Sequence, residues 1–107
     1  MIRRGDLVAV ALQGDFGKPR PALVVQADLL SELQSVIVAP VTSELRNAHF
    51  RVTIEPSLLN GLKVLSQVMV DKLTPVPREK ITNRFGKIED SRLRQVDKSI
   101  LIVLGLA

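Results

Sequence analysis

Gly17-Lys18-Pro19-Arg20-Pro21-Ala22-Leu23-Val24-Val25, answered by Val36-Ile37-Val38-Ala39-Pro40-Val41-Thr42, reads as two short strands of one sheet built from β-branched and small apolar residues. Arg20 lies between two prolines. Pro21 pushes it toward an extended backbone and the ring of Pro19 stiffens its approach, so its guanidinium leaves a rigid turn. Pro40 predicts an edge position or a bulge near the end of the second strand, which brings Thr42 out at a rim. Arg20 and the Thr42 hydroxyl then stand at matching strand ends, where both can face one phosphate.

Outward from this pair, the continuous apolar run 7–12 predicts a first strand, closed by the turn residues of 13–17. Residues 21–26 return antiparallel to it after a short loop. Residues 27–33 predict one or two helical turns with Asp28 as cap. Residues 51–55 alternate cleanly and stop at Pro56, and the Asn60-Gly61 turn leads into a long strand over 63–73. Pro75 and Pro77 are expected to break the chain after that strand, before a turn and a further strand within 78–88. A final helix, capped by Asp90 or Ser91, runs to about Leu104 with Leu93, Val96, Ile100, Val103 and Leu104 on one face, and Gly105 ends it. Ile102 and Leu106 fall off that face, which predicts apolar contact with a second subunit. The expected architecture is mainly β with a C-terminal α-helix: one domain over 1–107, folded as a small SH3-like antiparallel β-barrel with the helix laid on one side.

Composition narrows the chemistry. A chain of 107 residues supports one core, and with only three Phe and no Trp or Tyr that core is built from Val, Leu, Ile and Ala. Fifteen Lys and Arg against eleven Asp and Glu leave a net charge of +4, with the excess concentrated from Lys72 onward, which suits a phosphate-bearing partner. The absence of cysteine removes disulfides, a thiolate nucleophile and thiolate zinc sites, and fits a reducing cytoplasm. The apolar runs 7–12 and 100–106 are too short for a signal-peptide core with its cleavage site or a membrane span, so a soluble protein is expected.

Three blocks in order carry a family likeness. Arg4-Gly5-Asp6-Leu7-Val8, Arg20-Pro21-Ala22-Leu23-Val24-Val25-Gln26 and Val38-Ala39-Pro40-Val41-Thr42-Ser43 resemble blocks of the MazF/PemK toxin family, growth inhibitors of toxin–antitoxin pairs that share the CcdB/Kid fold. The likeness covers nearly the whole chain. It implies a homodimeric, metal-independent and cofactor-free endoribonuclease that cuts single-stranded messenger RNA at short sequences and so stops translation and growth. It also implies a cognate antitoxin that inserts into the RNA groove. The residues matching Arg20 and Thr42 are expected to be catalytic, with the neighbouring ribose 2′-hydroxyl as nucleophile and a cyclic phosphate as product. Two departures stand out. The loop 13–18 is shorter than the family's "GSEQxG" segment and lacks its glutamate. In the fourth block, Asp71-Lys72-Leu73-Thr74-Pro75-Val76-Pro77-Arg78, Lys72, Thr74 and Pro77 replace the family's glutamine, arginine and last aspartate.

The chemistry assigns roles. A guanidinium fork suits charge growing on the non-bridging oxygens, and a guanidinium is no general base. Thr42 would orient the scissile phosphate. Lys18, Phe16, Ser43, Arg46, Lys72 and Asp71 are the expected RNA-binding residues, Phe16 by stacking on a base and Lys72 by supplying charge near the missing arginine, while Asp71 also reads as a strand-end carboxylate paired with Lys72. His49 has the titration range of a proton carrier but sits in a polar turn, and a solvated role is the better reading. Phe85 is expected to pack the barrel. With few aromatics, RNA affinity should lean on electrostatics. A rival reading, a CcdB-like poison of DNA gyrase that cuts nothing, is weakened by the C-terminus, which lacks the tryptophan-containing tail of that group.

Overall fold

The computed structural model describes residues 1–11 and 18–107. Its elements are β1 (Asp6–Val10), β2 (Arg20–Val24), β3 (Ser35–Thr42), β4 (Arg51–Ile54), β5 (Ser66–Met69), β6 (Thr74–Pro77), β7 (Ile81–Lys87) and α1 (Asp90–Val103). The strands run in the order β4-β5-β3-β2-β1-β7, all neighbours antiparallel, with β6 also against β3. β3 reaches two partners on one side: β6 along Ser35 to Val38, then β5 at Val41 and Thr42. The mainly β, barrel-like fold with a C-terminal helix is as the sequence predicts.

Both faces of the central strands are covered, which is why β1 and β2 read as continuous apolar runs. Leu7, Leu23, Ala39 and Val41 join Val52, Ile54, Val68, Val70, Ile88 and Val96 in one core, against which Leu93 and Ile100 of α1 pack. Val8, Val10, Ala22, Val24, Val36, Val38 and Val76 form a second core on the other face, where chain length predicts only one, because the sheet is apolar on both sides. The edge strands β4 and β7 do not pair with each other; the connection 55–65 spans the seam, where the Lys87 amide donates to the Leu59 carbonyl at 3.0 Å.

The opening Arg4-Gly5-Asp6 block has a structural use here. Buried Asp6 accepts from the Arg3 amide at 2.8 Å and pairs with Arg84 Nε at 3.0 Å, tying the N-terminus to β7. Arg4 donates to the Val25 carbonyl at 2.9 Å and pairs with Asp97 of α1, and Gly5 turns the chain with φ +93°.

Several local expectations are corrected. The segment 63–73 is no single strand: β5 covers Ser66–Met69, a 3-10 turn comes next at Val70–Lys72, and β6 begins at Thr74. Pro75 and Pro77 lie inside β6 rather than breaking it, because β6 pairs on one side only and its open edge tolerates the missing N–H groups. Pro40 sits not in an edge strand but where β3 passes from β6 to β5, a point at which that side has no pairing to interrupt. The helical segment shrinks to a 3-10 turn at Asp28–Leu30, and Asp28 caps nothing; its carboxylate accepts the Arg4 amide at 2.7 Å. At α1 the cap position falls to Glu89, whose side chain is turned elsewhere, and Asp90 stands in the first turn, where its charge suits the helix N-terminus. The other end agrees with the sequence. Gly105, at φ +74°, reverses the chain, and the Leu106 and Gly105 amides return to the Leu101 and Ile102 carbonyls at 2.7 and 3.1 Å.

Candidate active site

The register between β2 and β3 runs Val24↔Val38, Leu23↔Ala39 and Ala22↔Pro40. Beyond the Ala22–Pro40 pair, β2 begins at Arg20 and β3 ends at Thr42, each two residues away. Both line one groove of about 710 Å³. Lys18, Pro19, Pro21 and Ser43 extend this floor, Ala9, Asn83 and Phe85 border it from β1 and β7, and Gly61 to Val64 with Ser66 form the remaining wall.

The groove is electropositive. Lys18, Arg20 and Lys63 stand on its walls, and among the described residues no carboxylate and no imidazole does. Thr42 Oγ1 accepts the Glu44 amide at 3.0 Å, which leaves the hydroxyl hydrogen available to donate. An anion seated there meets a fork of N–H groups and an O–H donor from adjacent strands. Among the described residues, no group of three or more His, Asp or Glu side chains is arranged as metal ligands would be.

Of the residues singled out from the sequence, the structure brings Lys18, Arg20, Thr42 and Ser43 together. It does not bring Arg46, Asp71 or Lys72 to the groove. Arg46 pairs with Glu44, and its backbone is held by the Gln67 side chain, whose Oε1 takes the Arg46 amide at 2.9 Å and whose Nε2 donates to the carbonyl at 3.0 Å. Asp71 and Lys72 lie in the 3-10 turn beyond β5 and face one another at 3.8 Å, the strand-end pairing. His49 lines a separate, largely apolar hollow with Phe50, Ser99, Ile102 and Val103. Phe16 lies outside the described residues. Lys63, Asn83 and Val64 were missed by the sequence reading, and Phe85 does two things, packing on the first core while presenting to the groove. The only sequence signal for Lys63 is its position two residues after the Asn60-Gly61 turn.

That turn is held firmly. Asn60 is fully buried; its Nδ2 donates to the Glu55 carbonyl at 2.8 Å and to Glu89 at 3.1 Å, and its Oδ1 accepts the amides of Ser57 and Leu62, each at 3.0 Å. Gly61 has φ +69°, and a Cβ there would lie 2.5 Å from the Phe85 carbonyl, so the turn seats flush on β7. Burial works to raise the Glu89 carboxyl, but the Ser57 hydroxyl, its own backbone amide, Asn60 and the nearby Arg92 charge outweigh it and hold the group below the usual glutamate value.

Comparison with known proteins supplies the family. The model of the family described as PemK-like, MazF-like toxin of type II toxin-antitoxin system matches residues 3–104. A protein of Mycolicibacterium smegmatis named "Probable endoribonuclease MazF" is 39% identical over 108 residues, covering 99% of each chain. Among solved structures, an endoribonuclease from a mycobacterial species in complex with its cognate antitoxin superposes with a TM-score of 0.87 at 18% identity, over 100% of this chain and 98% of that one. The Mycobacterium tuberculosis toxin MazF-mt6 gives 0.82 at 23% identity, over 95% and 98%.

Proposed function

We propose a reaction for this chain from one premise: it belongs to the PemK-like, MazF-like toxins of type II toxin–antitoxin systems. It is a MazF-like endoribonuclease toxin, and its groove binds single-stranded RNA and cuts it by internal attack. The ribose 2′-oxygen loses its proton and bonds to the adjacent phosphorus, the bond from phosphorus to the 5′-oxygen breaks, and that oxygen takes up a proton. The products are a 2′,3′-cyclic phosphate and a 5′-hydroxyl. Arg20 donates from its planar fork to the two non-bridging oxygens as charge builds on them. Thr42 holds the same phosphate through its hydroxyl hydrogen. Lys18 and Ser43 bind the strand beside it.

The observation that supports this reading above the others is that Arg20 and Thr42, at neighbouring ends of β2 and β3, line one groove whose charged lining among the described residues is all positive. Nothing in the family match favours the gyrase-poison reading. Two copies of the chain form the working unit, joined in part through the exposed apolar end of α1, where Leu101, Ile102, Leu104 and Leu106 face solvent in one copy. The antitoxin silences the enzyme by occupying the groove. The cytoplasm is where messenger RNA and such a partner meet, and among the described residues no helix is long and apolar enough to cross a membrane. Incubation of the protein with a long single-stranded RNA in excess EDTA tests the reading. Discrete cuts by the native protein and far fewer by Arg20→Ala are expected; uncut RNA would end it.

A further inference from the structure

Lys63 stands on the wall of the groove formed by the 55–65 connection, a different wall from the strand ends that carry Arg20 and Thr42. Its ammonium has no ion-pair partner among the described residues, and no carboxylate among them lines the groove to compete for it. An exposed lysine on a loose loop would mean little, since a flexible cation is screened by salt and loses entropy when it docks. This loop is not loose. Three residues back, Asn60 is fully buried and bonded to Glu55, Ser57, Leu62 and Glu89, and Gly61 is pressed against the Phe85 carbonyl. Leu62, the residue between the turn and Lys63, packs on the first core. The stem of Lys63 therefore starts from a fixed point on the groove.

We propose that Lys63 is a substrate-binding residue that neutralises an RNA backbone phosphate next to the one held by Arg20. This assignment rests on the nuclease reading of the same groove and adds a second anion site on its far wall. A strand crossing from Lys63 to Arg20 is held at two phosphates, which sets its register before chemistry begins. A lysine makes a point contact to phosphate, so arginine at this position keeps the charge and most of the function.

The test uses the full-length protein and two probes. The first is an uncleavable 2′-O-methyl single-stranded RNA, whose binding is measured by fluorescence anisotropy over a series of KCl concentrations. Each phosphate neutralised on a single strand contributes about 0.7 to the slope of log affinity against log salt. Lys63→Ala should lower that slope by about 0.7, Lys63→Arg should keep it, and Lys98→Ala, which removes an exposed lysine of α1, should leave it unchanged. The second probe is a cleavable RNA of the same sequence, on which Lys63→Ala should raise KM several-fold with kcat within about threefold of native. A slope for Lys63→Ala equal to that of Lys98→Ala overturns the assignment, as does a loss in kcat with KM unchanged. If the native protein and Arg20→Ala handle the cleavable strand alike, the nuclease reading itself has failed; if only the Lys63 variants match native, that reading stands and the second anion site does not.

Discussion

The backbone carbonyl of Asn60 occupies the space that a side chain at Gly86 would need. The connection between β4 and β5 thereby lies flush on β7, close enough for the neighbouring Lys87 amide to reach the Leu59 carbonyl at 3.0 Å. Gly86→Ala places a methyl group against fixed backbone, and relief requires the seam to part. We expect a loss of about 1–3 kcal/mol, the usual cost of overpacking, seen in urea unfolding as a lower midpoint with an unchanged slope.

Arg20→Ala and Thr42→Ala should each lower kcat without unfolding the protein. For Arg20 the loss is of the order of 10² to 10³, the effect of removing one donor aimed at developing charge. Arg20→Lys should recover little, because a point charge cannot reproduce two parallel N–H bonds. Thr42→Ser should recover much, since the hydroxyl and its bond to the Glu44 amide both survive. Unfolding free energies of all four should stay within about 1.5 kcal/mol of native, the size of a single hydrogen bond. Single-turnover cleavage beside denaturation curves checks both statements.

His49→Ala should leave the pH–rate profile of cleavage unchanged. The imidazole belongs to the hollow with Phe50, Ser99, Ile102 and Val103, not to the groove. A break in the native profile that disappears in the variant would assign His49 the proton transfer instead.

Glu89 links pH to stability. Its carboxyl lies lower in the folded chain than in the unfolded one, so the folded state binds fewer protons and is favoured while Glu89 is ionised. The contribution is complete above the unfolded value of about 4.3 and is lost as pH falls through the lower folded value. Glu89→Gln, which retains groups able to bond Ser57 and Asn60 without the charge, should be less stable than native near neutrality and should converge with it once the pH has fallen through the lowered folded value. Guanidinium unfolding across that range measures it.

On the proposed two-copy unit, Ile102→Lys combined with Leu106→Lys should shift the protein from two copies to one in sedimentation. Ile102 is 70% and Leu106 71% exposed in the single chain, so neither change disturbs its own core. An unchanged sedimentation coefficient would move the contact surface elsewhere on the molecule.

Much of this molecule is written locally in its sequence. β1 and β2 announce themselves because burial on both faces leaves no polar residue to interrupt them, and α1 ends where Gly105 requires it to. Arg20 and Thr42 were legible because the prolines and apolar runs around them fix strand ends. β6 was misread because Pro75 and Pro77 normally break a strand, and whether a strand has an open edge is a tertiary fact. Lys63 was missed for a related reason: nothing near it in the chain tells that Asn60 and Gly61 dock on β7, some 25 residues further along, and so turn an ordinary loop into a wall of the groove.

The crossing from Leu59 to Lys87 also decides what ties the two ends of the sheet together. Central strands such as β1 and β2 have neighbours on both sides, while β4 and β7 meet only through a connecting segment. Loosening that crossing, as Gly86→Ala does, should raise hydrogen exchange in β4 and β7 before it does so in the middle of the sheet. Because Lys63 rides on the connecting segment and Arg20 on the sheet, the spacing between these two cations is set by the seating of Asn60 and Gly61 on β7 and not by strand pairing alone.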